Sequence, residues 1–493
     1  MHRLLFLGSI AALFAVQTYL RFQSDIIQDC AWFLYVAEQL LNGKALYTDI
    51  IEVNPPLGMW LVVPIVWAAK QLAINSVAAT YTTLLLASVG TLGLCNRYLR
   101  KGSNLNPLMR MAFIFCLALC LLFFPAAFFA EREHFIVMLF LPWLFLRLIP
   151  NQQTQVVPTW ERLFVGVLAS IAICIKPQSI AAPILVELVL FLRSRRPTTP
   201  IAPENLSAIA TALIYVLAIV IFTPKFLSEM LALGAKAYVP FYGYPAYIIA
   251  LNARWTVIAL LIAMVIRLRL KALNTDTRLA DVLFAAAIGF TVSYFVQMKG
   301  FTYQIMPANM LSWLACAAGA AMLRQTERKM SIHIAAAIGI GALVLGDVPQ
   351  TYVNTYPTVS RLLANNAPNA KSIFIASTRL DDGFPFVQKH NLSWASRLPT
   401  QWLAPYVASK WQSDTLPQDE LISKTLDWTI TDLITLKPDI IMIDQSHDQA
   451  YVPGGKFDYV KFWQNDPRFQ NFWAQYEYRE TARELAVYTL LPK

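Results

Sequence analysis

Long apolar runs, separated by short loops rich in arginine and lysine, fill the first 348 residues of the chain. At 1.5 Å of rise per residue, a helix needs about 20 apolar residues to cross the hydrocarbon layer of a bilayer. Runs near that length fall at 4–20, 77–97, 108–129, 134–149, 161–176, 179–194, 206–223, 253–270, 279–297, 305–323 and 331–348. Composition agrees: 57% of the 493 residues are hydrophobic and 14% are charged, where soluble domains carry about 25% charged residues. A soluble single-core enzyme and a disordered chain are excluded. The six cysteines include no Cys-x-x-Cys pair and lie mostly within apolar runs, as buried small residues do, so a disulfide framework or zinc site is not expected.

The net charge of +10 is distributed as in a membrane protein. With the N-terminus inside, the cytoplasmic loops collect Arg97, Arg100, Lys101, Arg147, Arg162, Arg193, Arg195, Arg196, Arg267, Arg269, Lys271, Arg328 and Lys329. The opposite loops carry Asp25, Asp29, Glu52, Glu131, Glu133, Glu229 and Asp347. That asymmetry is the positive-inside pattern and not a phosphate-tracking stripe, so no nucleic-acid partner is expected. The apolar segment 57–74 would invert every later loop if it crossed. It therefore reads as an interfacial or re-entrant helix. Residues 29–42 read as a second surface helix ended by Gly43.

The expected fold is a polytopic α-helical membrane protein with about 11 transmembrane helices and a C-terminal soluble α/β domain. Its transmembrane part is 1–348, with a long first outer loop at 21–76. The domain at 349–493 is expected in the periplasm, and the whole in a bacterial inner membrane with a cytoplasmic N-terminus. In 349–493, SIFIAS (372–377) and DIIMID (439–444) read as short buried strands. Residues 417–436 read as a helix and 472–491 as a terminal hairpin.

The chemistry gathers on the outer side. Asp29 opens the first surface helix, and Glu52 precedes Asn54-Pro55-Pro56. Glu131-Arg132-Glu133-His134, Lys176-Pro177-Gln178 and Lys299 to Gln304 form three turns expected at one aqueous level. Asp29-Cys30-Ala31-Trp32, the Tyr47 to Leu57 stretch and the acidic 131–134 turn resemble the GT-C glycosyltransferases that use polyprenyl-phosphate sugars. Those include the protein O-mannosyltransferases and the lipid A aminoarabinose transferase. The chain departs from their pattern at Asn54, where many relatives have Lys, and at Gln304, where His is common.

The resemblance implies a transferase that moves a sugar from a polyprenyl-phosphate donor to an envelope acceptor: lipid A, a lipopolysaccharide core, a polysaccharide or a protein. Direct displacement inverts the anomeric centre. Asp29 is the expected general base, with Glu133 or Glu131 in support. Arg132, Lys176 and Lys299 are the expected phosphate contacts, and Glu52, Tyr303 and Gln304 the further substrate contacts. A divalent metal ion beside the outer carboxylates is compatible, but no ligand spacing demands one.

Plain structural roles stand beside these. Asp29 also fits a helix N-cap, 131–133 a solvated turn with a local ion pair, and Lys176 and Lys299 lipid-interface lysines. Glu52 also fits an orienter of the Pro-Pro turn, His134 a hydrogen-bonded structural residue, and the mid-span Glu187 a partner for a neighbouring helix. The aromatic loop 224–252 fits interfacial anchoring. The alternative functions are a lipid-linked sugar transporter, which should show internal repeats that are absent here, and a non-catalytic envelope assembly protein.

Overall fold

The structure is a computed structural model that describes residues 2–150, 157–194, 201–326, 341, 351, 357–411 and 415–492. The helices of the first part are α1 (His2–Phe22), α2 (Gln28–Leu41), α3 (Leu57–Gln71), α4 (Ser76–Gly102) and α5 (Pro107–Phe123). They continue with α6 (Arg132–Leu146), α7 (Thr159–Ile175), α8 (Ala181–Ser194), α9 (Pro203–Phe222) and α10 (Leu231–Ala237). The last are α11 (Ala246–Asn252), α12 (Arg254–Ala272), α13 (Arg278–Gln297) and α14 (Met306–Thr326). Two compact units are formed: 1–25, 68–218 and 243–352 make the first, and 26–67, 219–242 and 353–493 the second.

Every expected span up to 305–323 overlaps a helix, although 108–129 and 134–149 run past the ends of α5 and α6, and the expected span 331–348 lies outside the described residues. Among the described residues six helices are long and apolar enough to cross a membrane, or seven if α11 and α12, bent by 48°, count as one span. The helices α5, α6 and α7 have 17, 15 and 17 residues, at or below the short end of what spans a bilayer. The chain is a multi-pass helical membrane protein.

Burial orders the first unit. α6, α13 and α14 are buried along most of their length and form its core, whereas α1 and α9 expose leucine, isoleucine and valine on nearly every turn. So much exposed apolar surface is stable only against lipid. Helix contacts are close where a side chain is missing. A methyl added at Gly289 of α13 would overlap the backbone of Ala182 on α8, the small-residue contact by which membrane helices approach one another.

The second unit joins the first outer loop to the C-terminal part. Helices α15 (Pro357–Asn366), α16 (Ala404–Lys410), α17 (Glu420–Leu436), α18 (Tyr459–Trp463) and α19 (Pro467–Trp473) surround a five-stranded sheet. Its strands are β1 (Ser372–Ala376), β2 (Ser393–Trp394), β3 (Ile440–Asp444), β4 (Tyr476–Ala482) and β5 (Leu485–Leu490), in the order β2-β1-β3-β5-β4. β1 runs parallel to β2 and β3, and β5 returns antiparallel to β3. The runs SIFIAS and DIIMID thus form two of the three interior strands, buried on both faces as parallel strands are. Asp419 caps α17 by accepting from the Leu421 and Ile422 amides at 2.8 and 3.2 Å. β2 has two residues, and β4 carries Glu477, Arg479 and Glu480 with an irregularity between Tyr478 and Glu480.

Helix α2 packs on this sheet unit. Trp32 and Tyr35 lie 5.2 and 5.5 Å from the Phe384 ring, and the Ile51 amide donates to the Arg397 carbonyl at 2.8 Å. In α10 and its preceding turn, Phe226 meets Tyr47 at 5.3 Å, and Lys236 pairs with Asp419 at 3.4 Å.

Candidate active site

Three turns of the first unit converge at one end of its bundle. The chain leaves α5 through a short 3-10 turn at Ala126–Phe128 and enters α6 at Arg132. Ala126 and Ala130 take φ of 50° and 83° there, a left-handed region that residues with a Cβ rarely occupy and that costs on the order of 1–3 kcal/mol each. Arg21, buried at the end of α1, holds the turn: its guanidinium donates to the Ala126 carbonyl at 3.1 Å and lies 5.0 Å from the Phe129 ring. Nothing in the local sequence marks Arg21 beyond its place as the cation closing the first apolar run, and sequence reasoning missed it.

The turn sets the first residues of α6. Glu131 is its N-cap and accepts from the Arg132 amide at 3.2 Å, so Arg132, Glu133 and His134 are helical and not part of the turn. Glu131 and Glu133 are buried, which corrects the reading of a solvated turn with a local ion pair. Glu133 pairs instead with Lys176 at the end of α7. One Glu133 oxygen takes the lysine, and the other is buried with no hydrogen-bond donor among the described residues. Lys176 Nζ also lies 5.4 Å from the Tyr303 ring, in cation–π contact. Tyr303 in turn stacks on Phe301 at 5.7 Å and meets Phe128 at 5.9 Å. Glu131, Arg132, Glu133, Lys176 and Tyr303 are thereby brought into one group from three distant segments.

Both turn lysines are buried, against the interface-lysine reading. Burial pulls the Lys176 ammonium below the usual lysine range, with Glu133 working in the other direction. Lys299 is lowered to about 8 by burial alone. Its turn is fixed by the Lys299 carbonyl, which accepts from the Tyr244 amide at 2.8 Å, and by the Gly300 carbonyl, which accepts from Asn252 at 2.8 Å. Gln304, half-buried in the same turn, has a buried side-chain oxygen without a donor among the described residues. His134 donates from Nε2 to the Leu121 carbonyl at 2.9 Å and packs 4.5 Å from Phe129, the structural role expected of it.

Asp29 and Glu52 belong to the second unit. The N-cap of α2 is Ile27, which offers no side-chain cap, and Asp29 lies in the first turn of the helix. The capping reading of Asp29 is therefore overturned. Its carboxylate is half-buried and has no hydrogen-bond or ion-pair partner among the described residues. Glu52 is buried and fully engaged: one oxygen accepts from Trp32 Nε1 at 2.7 Å, the other from the Asn54 amide at 2.8 Å and its side chain at 2.7 Å. It shapes the turn into Pro55-Pro56, and its geometry is that of a structural carboxylate. Among the described residues no three His, Cys, Asp or Glu side chains are grouped to hold a metal ion.

The fold has a solved counterpart. Over 98% of its length the chain superposes on 40% of the arabinofuranosyltransferase AftD from Mycobacteria, seen by single-particle cryo-EM, with a TM-score of 0.50 and 12% identity. A mutant of that protein matches over 97% of this chain and 41% of its own, with a TM-score of 0.44 and 13% identity. The chain thus spans less than half the length of these structures. No protein-family model and no curated protein matches the chain. At that identity the likeness shows a shared fold, and the chemistry has to be argued from the site.

Glu187 is paired, as a costly mid-span acid should be. It meets Arg147 at 2.7 Å and accepts from Asn205 at 3.1 Å. The same arginine reaches Glu204, which also takes Arg162 at 2.7 and 2.8 Å. This cluster lies at the opposite end of α6 from Glu133, since Arg147 is the C-cap of that helix.

Proposed function

We propose that the chain is a membrane glycosyltransferase that moves a sugar from a polyprenyl-phosphate donor to an envelope acceptor, with inversion. The observation that carries this reading is the buried group at the end of the first unit: Lys176 held by Glu133 and faced by Tyr303. The likeness in fold to an arabinofuranosyltransferase and the sequence resemblance to polyprenyl-phosphate-sugar transferases favour glycosyl transfer over transport or assembly.

The chemistry divides into two tasks. The anomeric C–O bond to phosphate breaks and its electron pair leaves with the lipid phosphate. Lys176, Arg132 and Lys299 stabilise that charge through charge-assisted hydrogen bonds in a site that excludes water. The acceptor hydroxyl forms the new C–O bond from the other face of the sugar and gives its proton to a carboxylate. Asp29 is assigned as the acceptor of that proton, because its carboxylate has no hydrogen-bond or ion-pair partner among the described residues. Glu133 and Glu131 hold the cations in place, Tyr303 and Gln304 contact the donor, and Glu52 shapes the outer loop. The divalent ion expected from sequence is tested by measuring transfer with and without a chelator. The acceptor is a lipid, glycan or protein of the envelope, on the periplasmic side of a bacterial inner membrane.

The test is transfer by the purified protein from defined polyprenyl-phosphate sugars. Asp29→Asn should lower kcat by about 10²–10⁴-fold, with the thermal unfolding midpoint unchanged. Full transfer by Asp29→Asn would remove the base assignment, and no transfer from any such donor by the wild type would remove the function.

A further inference from the structure

The second unit holds a polar cluster that the transfer reaction does not use. It lies at the carboxyl ends of the parallel strands β1 and β3, where ligands of open α/β sheets bind. Ala376 pairs with Ile443 in the register, so Ser377, just past β1, and Asp444, the last residue of β3, follow at neighbouring positions. Ser377 donates to Asp382, and Asp444 accepts from the Ser446 hydroxyl at 2.6 Å. Two carboxylates are thereby set against one another at the strand ends.

An acidic pair alone is not a site. Buried donors without partners surround this one. Tyr459 is 1% exposed, and its hydroxyl has no hydrogen-bond partner among the described residues; burial first, and then the charges of Asp444 and Asp382, push its pKa up. Tyr242, also buried, likewise leaves its hydroxyl without a partner among the described residues. Gln401, whose amide is tied to the Ser377 carbonyl at 2.8 Å, has a side-chain nitrogen in the same condition. A buried donor left without a partner is costly, so such groups are normally satisfied. The Tyr242 ring lies 4.4 Å from Tyr451 and 4.6 Å from Tyr238. Tyr451 sits in a loop held over the strand ends, where the Ala450 carbonyl accepts from Thr378 at 2.6 Å.

The mixture of groups selects the ligand. Carboxylates repel a phosphate. A bare metal ion needs acceptors only, and here amide N–H donors stand beside the acids. A ligand with vicinal hydroxyls satisfies both sets at once, because each hydroxyl donates to a carboxylate and accepts from a phenol or an amide. An aromatic wall then covers the apolar C–H face of the ring. We propose that the second unit carries a saccharide-binding site at the carboxyl ends of β1 and β3, built on Asp382, Asp444, Gln401 and Tyr459 and walled by Tyr242 and Tyr451. This site is separate from the transfer chemistry and stands whether or not that reading does.

The experiment is ligand-observed NMR and calorimetry on the full-length protein in nanodiscs, with no lipid-linked donor present. The probes are the methyl glycosides of glucose, galactose, mannose and arabinose. At least one should bind saturably, with a Kd on the order of 1–10 mM, and Asp444→Asn should weaken it about tenfold or more. Tyr459→Phe, which keeps the ring and removes the hydroxyl, should also weaken it at an unchanged unfolding midpoint. Asp29→Asn should bind as the wild type does. Absence of saturable binding for all four probes would overturn the proposal. So would binding that neither Asp444→Asn nor Tyr459→Phe alters, or a high-resolution structure soaked in the best probe that shows only water among these groups. Binding lost in Asp29→Asn would overturn it too, by assigning the sugar to the transfer site.

Discussion

The two ends of helix α6 carry buried charge in opposite styles. At its C-terminal end the anions Glu187 and Glu204 meet the guanidinium forks of Arg147 and Arg162, and Asn205 donates a further hydrogen bond. Each of the four carboxylate oxygens there has a donor. At the N-terminal end Glu133 meets a lysine through one oxygen, and its other oxygen is buried without a donor. Arginine is planar, permanently charged and bidentate, whereas lysine is a point charge on a flexible stem whose pKa shifts with burial. On the proposed function, the difference separates the end that holds the helices from the end that handles the donor. A closed arginine–carboxylate network fixes helices relative to one another. A lysine on a half-used carboxylate can be passed to an incoming phosphate.

That contrast can be broken by substitution. The largest effect is expected from Arg147→Met, which leaves Glu187 and Glu204 short of their shared cation. Removing one partner of a buried pair costs about 3–5 kcal/mol, read as a lower unfolding midpoint in detergent, while kcat/KM per folded molecule stays at the wild-type value. If transfer fell and stability did not, the two ends would have exchanged roles. Lys176→Met should do the reverse, lowering kcat/KM about 10²–10³-fold with a smaller loss of stability than Arg147→Met. The comparison is sharpened by pH. Lys299 titrates near 8 because burial disfavours its charged form, and only the ammonium binds a phosphate. The kcat/KM profile should therefore fall about tenfold per pH unit above that value, since kcat/KM reports the free enzyme. Lys299→Arg, which stays protonated, should move that limb beyond the accessible range.

How much of this could be read from residues alone differs between elements. Apolar runs of helical length and the strands SIFIAS and DIIMID announce themselves, because burial on every side leaves a continuous hydrophobic signature. The partner of Glu187 was likewise legible as a need, since an acid in a span must be paired. What escaped depends on contacts far apart in sequence. Arg21 looks like an ordinary end-of-helix cation until Ala126, 105 residues later, is placed beside it. Lys176 and Lys299 look like interface lysines because their burial comes from other segments. The joining of 26–67 to 353–493 rests on pairs such as Tyr35 with Trp394, 359 residues apart, and no local pattern encodes it. Asp29 looks like a cap by its position, yet the N-cap lies two residues earlier, at Ile27.

The borders of the sheet have a consequence for life in a crowded membrane. Proteins confined to two dimensions collide often, and a bare strand invites a neighbour to add to it. Here one border strand is only two residues long, too short to template anything. The other is bent at Tyr478 and studded with Glu477, Arg479 and Glu480, so an approaching copy meets charge and curvature in place of a flat row of amides. Dense packing of this protein in the bilayer should therefore leave its molecules separate instead of stitching them into β-linked aggregates.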